Sequence, residues 1–131
     1  YDVQVHRDYA PGLPLLLVQR NHLSETFVNL LQNTREALDG HGNIWIQTSP
    51  SENYSIRISI ADDGPGIAPE NIERIFAPYF TTREKGTGLG LAIVKHNTEM
   101  YGGQITVESE LGKGARFVLN FPARTLMKLR K

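Results

Sequence analysis

Residues 86–95 read GTGLGLAIVK, with three glycines at alternate positions directly before an apolar helical pattern. Glycine readily adopts positive φ and leaves backbone N–H groups uncovered by a side chain. The first N–H groups of a helix have no partner within the helix, and the helix dipole is positive at that end. Gly86, Gly88 and Gly90 therefore predict a turn that binds a polyphosphate at the start of a helix. The stretch is neither a P-loop nor a Rossmann fingerprint, because GxxxxGK[ST] is missing and the third glycine comes one residue too early for GxGxxG.

A second motif lies on the predicted helix 21–38, where apolar residues recur at spacings of three and four. The opposite side carries a polar stripe formed by Glu25, Asn29, Asn33 and Glu36. Asparagine is unfavourable inside a helix because its side-chain amide competes for backbone hydrogen bonds. The two asparagines, one turn apart, indicate either a solvated face with amide pairs or a set of oxygen ligands for a hard cation such as Mg²⁺.

A third motif, DDGPGI at residues 62–67, directly follows an alternating strand pattern. Its glycines would let another molecule approach the backbone closely, and Asp62 could accept a hydrogen bond from an exocyclic amine such as that of adenine. The same residues also favour a turn by propensity alone. Taken together, the three motifs supply cation ligands, an amine acceptor and a phosphate-binding helix start. They predict a single site for a Mg–nucleotide.

The remaining pattern predicts the fold class. Alternating apolar residues indicate strands at residues 3–6, 15–19, 44–46, 56–60, 104–109 and 116–121. Helical segments are expected at residues 21–38, 70–76 and 88–101. The first two strands are expected to pair around a turn at residues 11–14. We therefore predict an α+β fold, a two-layer sandwich with a mixed, mainly antiparallel sheet covered on one face by three helices.

Composition excludes several classes of function. The chain has no cysteine, which rules out disulfides, thiolate metal sites and cysteine nucleophiles. Its 14 basic and 14 acidic residues cancel, so no general nucleic-acid surface is expected. No apolar run approaches the roughly 20 residues of a membrane-spanning helix. The absence of cysteine suits a reducing cytoplasm, where we expect the chain to act. Because the chain does not begin with Met, we expect a fragment of a longer protein, and a membrane anchor elsewhere in that parent is compatible with this expectation.

The motifs together resemble the catalytic ATP-binding domain of bacterial sensor histidine kinases, within the superfamily that also contains gyrase, Hsp90 and MutL. The N box resembles HLSETFVNLLQNTREAL, the G1 box DDGPGI, the F box RIFAPYF and the G2 box GTGLGLAIVK, and a final glycine-rich turn resembles ESELGKGARFVLNFP. The motifs occur in the family order and cover nearly the whole chain. The resemblance implies the Bergerat fold, with an ATP-binding catalytic domain at residues 1–123 and a basic C-terminal tail at 124–131.

The resemblance also implies roles for individual residues. Asn33 would coordinate Mg²⁺, Asn29 would lie near the phosphates, and Asp62 would accept the adenine amino group. Catalysis would involve Asn29, Asn33 and Arg83. The other residues expected to bind ATP or ADP are Gly64, Gly66, Ile67, Phe80, Thr81, Thr82, Arg83, Lys85, Gly86, Thr87, Gly88, Leu89, Gly90 and Leu91.

The expected ATP lid at residues 77–85 is short and resembles that of the nitrogen-regulation type of kinase, with the F-box aromatics Phe76 and Phe80 at its base. Arg83 or Lys85 would contact the γ-phosphate, or both would be solvated lid charges. One departure is Glu36, where many family members carry a lysine that reaches the phosphates; Arg35 or the lid cations would compensate. His96 replaces a more usual apolar residue and is expected to be packed or half-exposed on its helix.

One position separates kinases from hydrolases in this superfamily. The hydrolases carry a general-base glutamate where this chain has Asn29, so we expect a kinase. None of the four histidines here has the sequence setting of a phosphoacceptor. The resemblance therefore implies a monomeric fragment whose partner is a histidine-bearing dimerisation domain of the same parent, with a response regulator further along. Two alternatives stay open: an anti-sigma-type serine protein kinase, and an ATP-binding regulatory module without catalysis.

Overall fold

The computed structural model describes residues 2–81 and 88–122. Five strands form one sheet in the order β1-β2-β3-β5-β4. They are β1 (Asp2–Tyr9), β2 (His41–Ser51), β3 (Ser55–Asp62), β4 (Gln104–Ser109) and β5 (Ala115–Pro122). The helices are α1 (Arg20–Leu38), α2 (Pro69–Ile72) and α3 (Gly90–Met100). β1 is parallel to β2, and every other neighbouring pair is antiparallel. The predicted α+β class with a mixed, mainly antiparallel sheet is confirmed.

The predicted strand at residues 15–19 and its hairpin with the first strand are wrong. β1 instead pairs in parallel with β2, and residues 13–19 form an irregular connection to α1. Leu15 is 85% exposed, whereas Leu13 and Leu16 pack against the core. The alternation of buried and exposed residues at 13–19 therefore arises because one side of this segment packs against the core. Among the described residues, the segment has no partner strand.

The core forms where the helices cover the two central strands. Ile58 of β3 lies opposite Leu119 of β5, and Ile60 lies opposite Phe117, all of them buried. Helix α1 packs Leu30 onto this surface with full burial. Because β3 runs through the middle of the sheet, the residue that ends it, Asp62, lies directly beside the core.

Helices α1 and α3 pack on each other with several polar residues in their contact. Thr26, Thr34 and Thr98 are buried, and each hydroxyl donates to the carbonyl oxygen four residues earlier in its own helix. These bonds satisfy hydroxyls that would otherwise be costly to bury. His96 belongs to the exposed face of α3, whereas Val94, Asn97 and Thr98 are turned inward.

Several residues for which the sequence predicted a role are not among those that the structure describes. The residues Thr82, Arg83, Lys85, Gly86 and Thr87, and the basic tail at 124–131, lie outside the described residues. Within the described ranges, no helix has both the length and the apolar character needed to cross a membrane.

Candidate functional site

A single cavity of about 570 Å³ lies between α1, the loop after β3 and the start of α3. Its volume is within the range of small-molecule and cofactor sites. The predicted site residues in its wall are Asn29, Asn33, Asp62, Gly66, Ile67, Phe80, Thr81, Gly88, Gly90 and Leu91. The structure thus brings residues from all three sequence motifs around one space.

One end of the cavity is formed by the aspartate loop, residues 62–67. Asp62 is only 7% exposed, and its Oδ1 accepts a hydrogen bond of 2.9 Å from the backbone N–H of Gly64. A buried carboxylate requires donors of this kind, because burial without them is unfavourable. Gly64 is not part of the wall itself; it packs behind Asp62, where a Cβ atom would lie 3.0 Å from the same Oδ1 atom. The loop therefore holds the carboxylate at the cavity wall from behind.

The β4–β5 turn, residues 110–114, supports the aspartate loop. The N–H of Gly112 donates to the carbonyl of Pro65 at 2.8 Å. Gly66 has a φ of +79°, and a Cβ atom there would lie 2.3 Å from the carbonyl oxygen of Glu110. Leu111 of this turn also lines the cavity. The sequence prediction missed Leu111, although the glycine-rich turn that carries it was a recognisable signal.

Adjacent aspartates in this loop have different surroundings. Asp62 lines the cavity, whereas Asp63 is exposed and accepts hydrogen bonds from the backbone N–H of Asn43 at 2.7 Å and from its side-chain amide at 2.9 Å. The side-chain hydrogen bond from Asn43, followed by the backbone one, lowers the pKa of Asp63 below its ordinary value. Asp63 thus ties the loop to β2 and leaves the cavity wall to Asp62.

Helix α1 contributes amides and a carboxylate to the long side of the cavity: Asn29, Gln32, Asn33 and Glu36. Asn29 donates from Nδ2 to the backbone carbonyl of Glu25 at 2.9 Å. This bond occupies the NH₂ group of Asn29 and holds its side chain against α1. Arg35, suggested above as a substitute for the missing lysine, is exposed and does not line the cavity.

Glu25 belongs to the predicted polar stripe but is absent from the cavity wall. Its Oε1 accepts a hydrogen bond of 2.9 Å from Nδ2 of Asn97 on α3. The same Nδ2 atom also donates to the carbonyl oxygen of His22 at 3.3 Å. His22 and the backbone N–H of Gln19 are both hydrogen-bonded to the hydroxyl of Tyr101. We call these contacts the α1–α3 clamp; Glu25 therefore joins the two helices and does not extend the row of potential ligands.

The start of α3 closes the other end of the cavity. Gly88 has a φ of +76°, and a Cβ atom there would lie 2.4 Å from the backbone carbon of Tyr79. The N–H of Tyr79 donates to the carbonyl of Gly88 at 2.7 Å. A Cβ atom on Gly90 would lie 3.2 Å from Oδ1 of Asn29. Glycine at these two positions thus allows the helix start to lie against the F-box segment and against α1.

Phe76 and Leu89, which the sequence analysis singled out, lie behind the cavity wall. Phe76 packs edge-on against Phe117, with ring centroids 6.3 Å apart, and Phe117 itself lines the cavity. Leu89 does not line the cavity; its carbonyl accepts the hydrogen bond from Ile93 that begins α3. These residues fix the elements that carry the wall.

A divalent cation at this site would depend on few protein ligands. Among the described residues, no cluster of three His, Asp or Glu side chains could hold a metal ion. Asn33 lines the cavity wall, and its side chain carries one amide oxygen. Mg²⁺ commonly takes one or two protein ligands and completes its shell with waters and substrate phosphates. The donor set therefore fits Mg²⁺ bound together with a polyphosphate and does not fit an all-protein metal cage.

Comparison with known proteins identifies the family. The family described as Histidine kinase-, DNA gyrase B-, and HSP90-like ATPase matches residues 18–125. The chain belongs to this family. It is 43% identical to the sensor histidine kinase ZraS of Escherichia coli O157:H7 over 127 residues, which are 97% of this chain and 28% of that protein. The predicted family is confirmed, and the chain spans less than a third of this relative's length.

Solved structures of histidine kinases share the fold. Full-length ShkA in complex with AMPPNP is 32% identical with a TM-score of 0.83, and the match covers 94% of this chain and 26% of that one. The nucleotide-free catalytic domain of histidine kinase ThkA is 31% identical with a TM-score of 0.82, and the match covers 92% and 79% of the two chains.

Proposed function

We propose that this chain is the catalytic ATP-binding domain of a sensor histidine kinase in two-component signal transduction. It binds Mg-ATP, and the γ-phosphate passes to a histidine on a dimerisation domain outside this chain. The observation that carries the proposal is the single cavity whose wall contains Asp62, Asn33 and the Gly88–Gly90 helix start. The similarity to ZraS and to ShkA bound to an ATP analogue supports the same function.

The wall residues divide the work of binding. Asp62 accepts a hydrogen bond from the adenine amine, with Gly66, Ile67 and Leu111 beside the base. The N–H groups at the start of α3 face the phosphates, where the helix dipole favours negative charge. Asn29 orients the phosphates, and Arg83 or Lys85 is our candidate for the γ-phosphate contact. A Mg²⁺ ion at Asn33 would neutralise charge on the phosphate oxygens.

Kinase activity is favoured over ATP hydrolysis by two features of α1. Asn29 has a neutral amide where a hydrolase of this superfamily needs a general base, and an amide cannot accept a proton at neutral pH. The carboxylate of Glu25 is hydrogen-bonded to Asn97 outside the cavity wall. Transfer to an external acceptor needs mainly positioning and charge neutralisation, which this cavity can provide.

The acceptor is expected outside this chain. None of its four histidines lines the described part of the cavity wall. His22 is hydrogen-bonded to Tyr101, and His6 stacks on Trp45 with ring centroids 5.4 Å apart. During transfer, a nitrogen of the acceptor imidazole forms a bond to the γ-phosphorus while the bond to the β,γ-bridging oxygen breaks and ADP leaves. We infer a cytoplasmic, monomeric domain at residues 1–123 that meets the response regulator only through that phosphorylated partner.

The test combines a binding assay with a transfer assay. Calorimetric titration with ATP and ADP, each with and without Mg²⁺, should show one nucleotide per chain and tighter ATP binding with Mg²⁺. The chain alone should gain no phosphate from radiolabelled ATP, whereas addition of the parent's dimerisation domain should give an acid-labile phosphohistidine on that domain. No nucleotide binding would refute the proposal. Acid-stable phosphoserine on a partner would favour the serine-kinase alternative, and binding without any transfer would favour the regulatory module.

A further inference from the structure

We propose that Ser109, at the end of β4, is a positioning residue that sets the selectivity of the site for an adenine base. It acts through the aspartate loop and does not contact the nucleotide itself. This inference rests on the proposed function, because it assumes that Asp62 receives the amine of the purine. It assigns a role to a residue outside the three motifs that predicted the site.

The Ser109 hydroxyl joins two loops that are distant in the sequence. Its Oγ accepts a hydrogen bond of 2.7 Å from the backbone N–H of Ile67 and donates one of 2.8 Å to the carbonyl oxygen of Gly114. A serine hydroxyl can donate once and accept at the same time, so one atom satisfies both groups. Ile67 belongs to the cavity wall, and Gly114 belongs to the β4–β5 turn. The hydroxyl therefore fixes the spacing between the aspartate loop and the turn.

The spacing between these loops controls Asp62 because the two backbones are in close contact. A Cβ atom on Gly114 would lie only 1.9 Å from the carbonyl oxygen of Asp62. A Cβ atom on Gly66 would lie 3.2 Å from the carbonyl oxygen of Gly114, beside its contact with Glu110. A shift of the turn by a fraction of an ångström therefore moves the backbone of Asp62 and of the loop that follows it. Hydrogen-bond recognition of a base depends on such small displacements.

Loss of the hydroxyl should weaken recognition of the amine more than binding of the phosphates. In Ser109→Ala, the N–H of Ile67 and the carbonyl of Gly114 lose their shared partner. The aspartate loop can then drift relative to the turn. The start of α3 has no contact with this hydroxyl among the described bonds, so phosphate binding should be retained. The expected signature is a change in selectivity between bases.

The experiment compares ADP with IDP, which carries an oxygen where adenine carries its amine. Wild-type protein should bind ADP at least about tenfold more tightly than IDP, because the oxygen faces the Asp62 carboxylate without a hydrogen to donate. Ser109→Ala should weaken ADP binding about tenfold and IDP binding far less, so that the ratio approaches one. Ser109→Thr keeps the hydroxyl and should restore the ratio. Ser49→Ala, the same change at a partly buried position of β2, should leave it unaltered.

The thermal stability of each variant, measured without nucleotide, distinguishes a positioning role of Ser109 from a general effect on stability. If the role of Ser109 were merely structural, Ser109→Ala would lower stability and weaken ADP and IDP binding equally. That result would overturn the inference. A failure of Ser109→Thr to restore the ratio of ADP to IDP affinity would overturn it as well. If Ser109→Ala does not fold, Ser109→Cys tests the same point, since a thiol of similar shape hydrogen-bonds weakly and should lower the ratio. If wild-type protein binds neither nucleotide, or binds both equally, the failure lies in the proposed function and the inference falls with it.

Discussion

The two ends of the cavity are held in different ways. At the proposed adenine end, the aspartate loop and the β4–β5 turn are in contact through backbone groups, glycines and one serine hydroxyl. At the proposed phosphate end, Asn29 abuts Gly90, and the helices α1 and α3 are joined further along, outside the cavity wall, by the side chains of the α1–α3 clamp. Added atoms are therefore expected to be costly in the β4–β5 turn, and removed side chains are expected to be costly in the clamp. The predictions below test that difference.

The largest effect is expected from an added methyl group in the β4–β5 turn. Gly114→Ala places a Cβ atom 1.9 Å from the carbonyl oxygen of Asp62, so the two backbones must separate. Gly112→Ala is a matched control: its φ of +82° is close to the +85° of Gly114, but no atom lies within 4 Å of the added carbon. We expect a loss of about 3 kcal/mol or more in unfolding free energy for Gly114→Ala and about 1 kcal/mol for Gly112→Ala. Urea denaturation measures both; equal losses would show that this contact is not tight.

The next effect concerns the carboxylate itself. Asp62→Ala removes the acceptor for the purine amine and should weaken ATP binding about 100-fold, as expected for loss of a hydrogen bond to a buried charged group. Asp63→Ala is the neighbouring control, because its carboxylate bonds to Asn43 outside the cavity, and it should change affinity less than about threefold. Calorimetry with ATP distinguishes the two. Similar losses in both variants would contradict the assignment of Asp62 to the adenine end.

In the contact between α1 and α3, removal of a clamp side chain should lower the free energy of unfolding. Asn97 is 5% exposed and donates to Glu25 and to the carbonyl of His22, so Asn97→Ala should cost about 2 kcal/mol in unfolding free energy. Asn21→Ala changes an exposed asparagine on α1 and should be neutral or slightly stabilising. Chemical denaturation gives both values. A neutral Asn97→Ala would mean that the clamp does not hold the helices together.

Most of the site was predictable because its residues belong to three local sequence motifs. Two asparagines inside a helix conflict with local propensity. The glycine repeat and the DDGPGI turn agree with theirs, and they were recognised because all three motifs occur together in one order along the chain. Ser109 was missed because its contribution depends on a contact between distant segments; Ile67 and Ser109 are 42 positions apart in the chain. The alternation of residues along β4 does not indicate that Ser109 contacts Ile67.

The fold was predicted less completely at the N-terminus for a related reason. Alternation shows which side of a segment is buried, but it does not identify the neighbouring strand. Val5 lies opposite Ile44 in a parallel pair across an intervening helix, whereas the local turn at residues 11–14 favoured a hairpin. The turn residues at 11–14 did not lead to a hairpin, because β1 pairs instead with β2 after the longer connection through α1. The strands predicted at residues 104–109 and 116–121, by contrast, are present as β4 and β5, which pair through a short local turn.

A smaller effect is expected from the proposed metal ligand. Asn33→Ala removes one oxygen from the shell of a cation that also has waters and phosphates as ligands, so Mg²⁺-dependent ATP affinity should fall about tenfold. Binding measured without Mg²⁺ should change little. Gln32→Ala, which alters the next residue of the cavity wall, is the control and should affect both conditions alike. An equal loss with and without Mg²⁺ in Asn33→Ala would remove Asn33 from the metal site.

The smallest effect is expected at Asp63, whose pKa is lowered by the side-chain and backbone hydrogen bonds from Asn43. A lowered pKa means that folding favours the charged carboxylate. Its stabilisation is therefore complete above the ordinary value near 3.8 and disappears as the pH falls through the lowered value in the folded state. Asp63 is exposed, so solvent screening keeps the contribution small. The difference in unfolding free energy between wild type and Asp63→Asn should shrink on acidification from about pH 5. Asn43→Ala removes the side-chain bond but keeps the backbone N–H, so it should reduce this pH dependence without abolishing it. A difference that stays constant with pH in the wild-type background would show that these two hydrogen bonds do not tie the aspartate loop to β2.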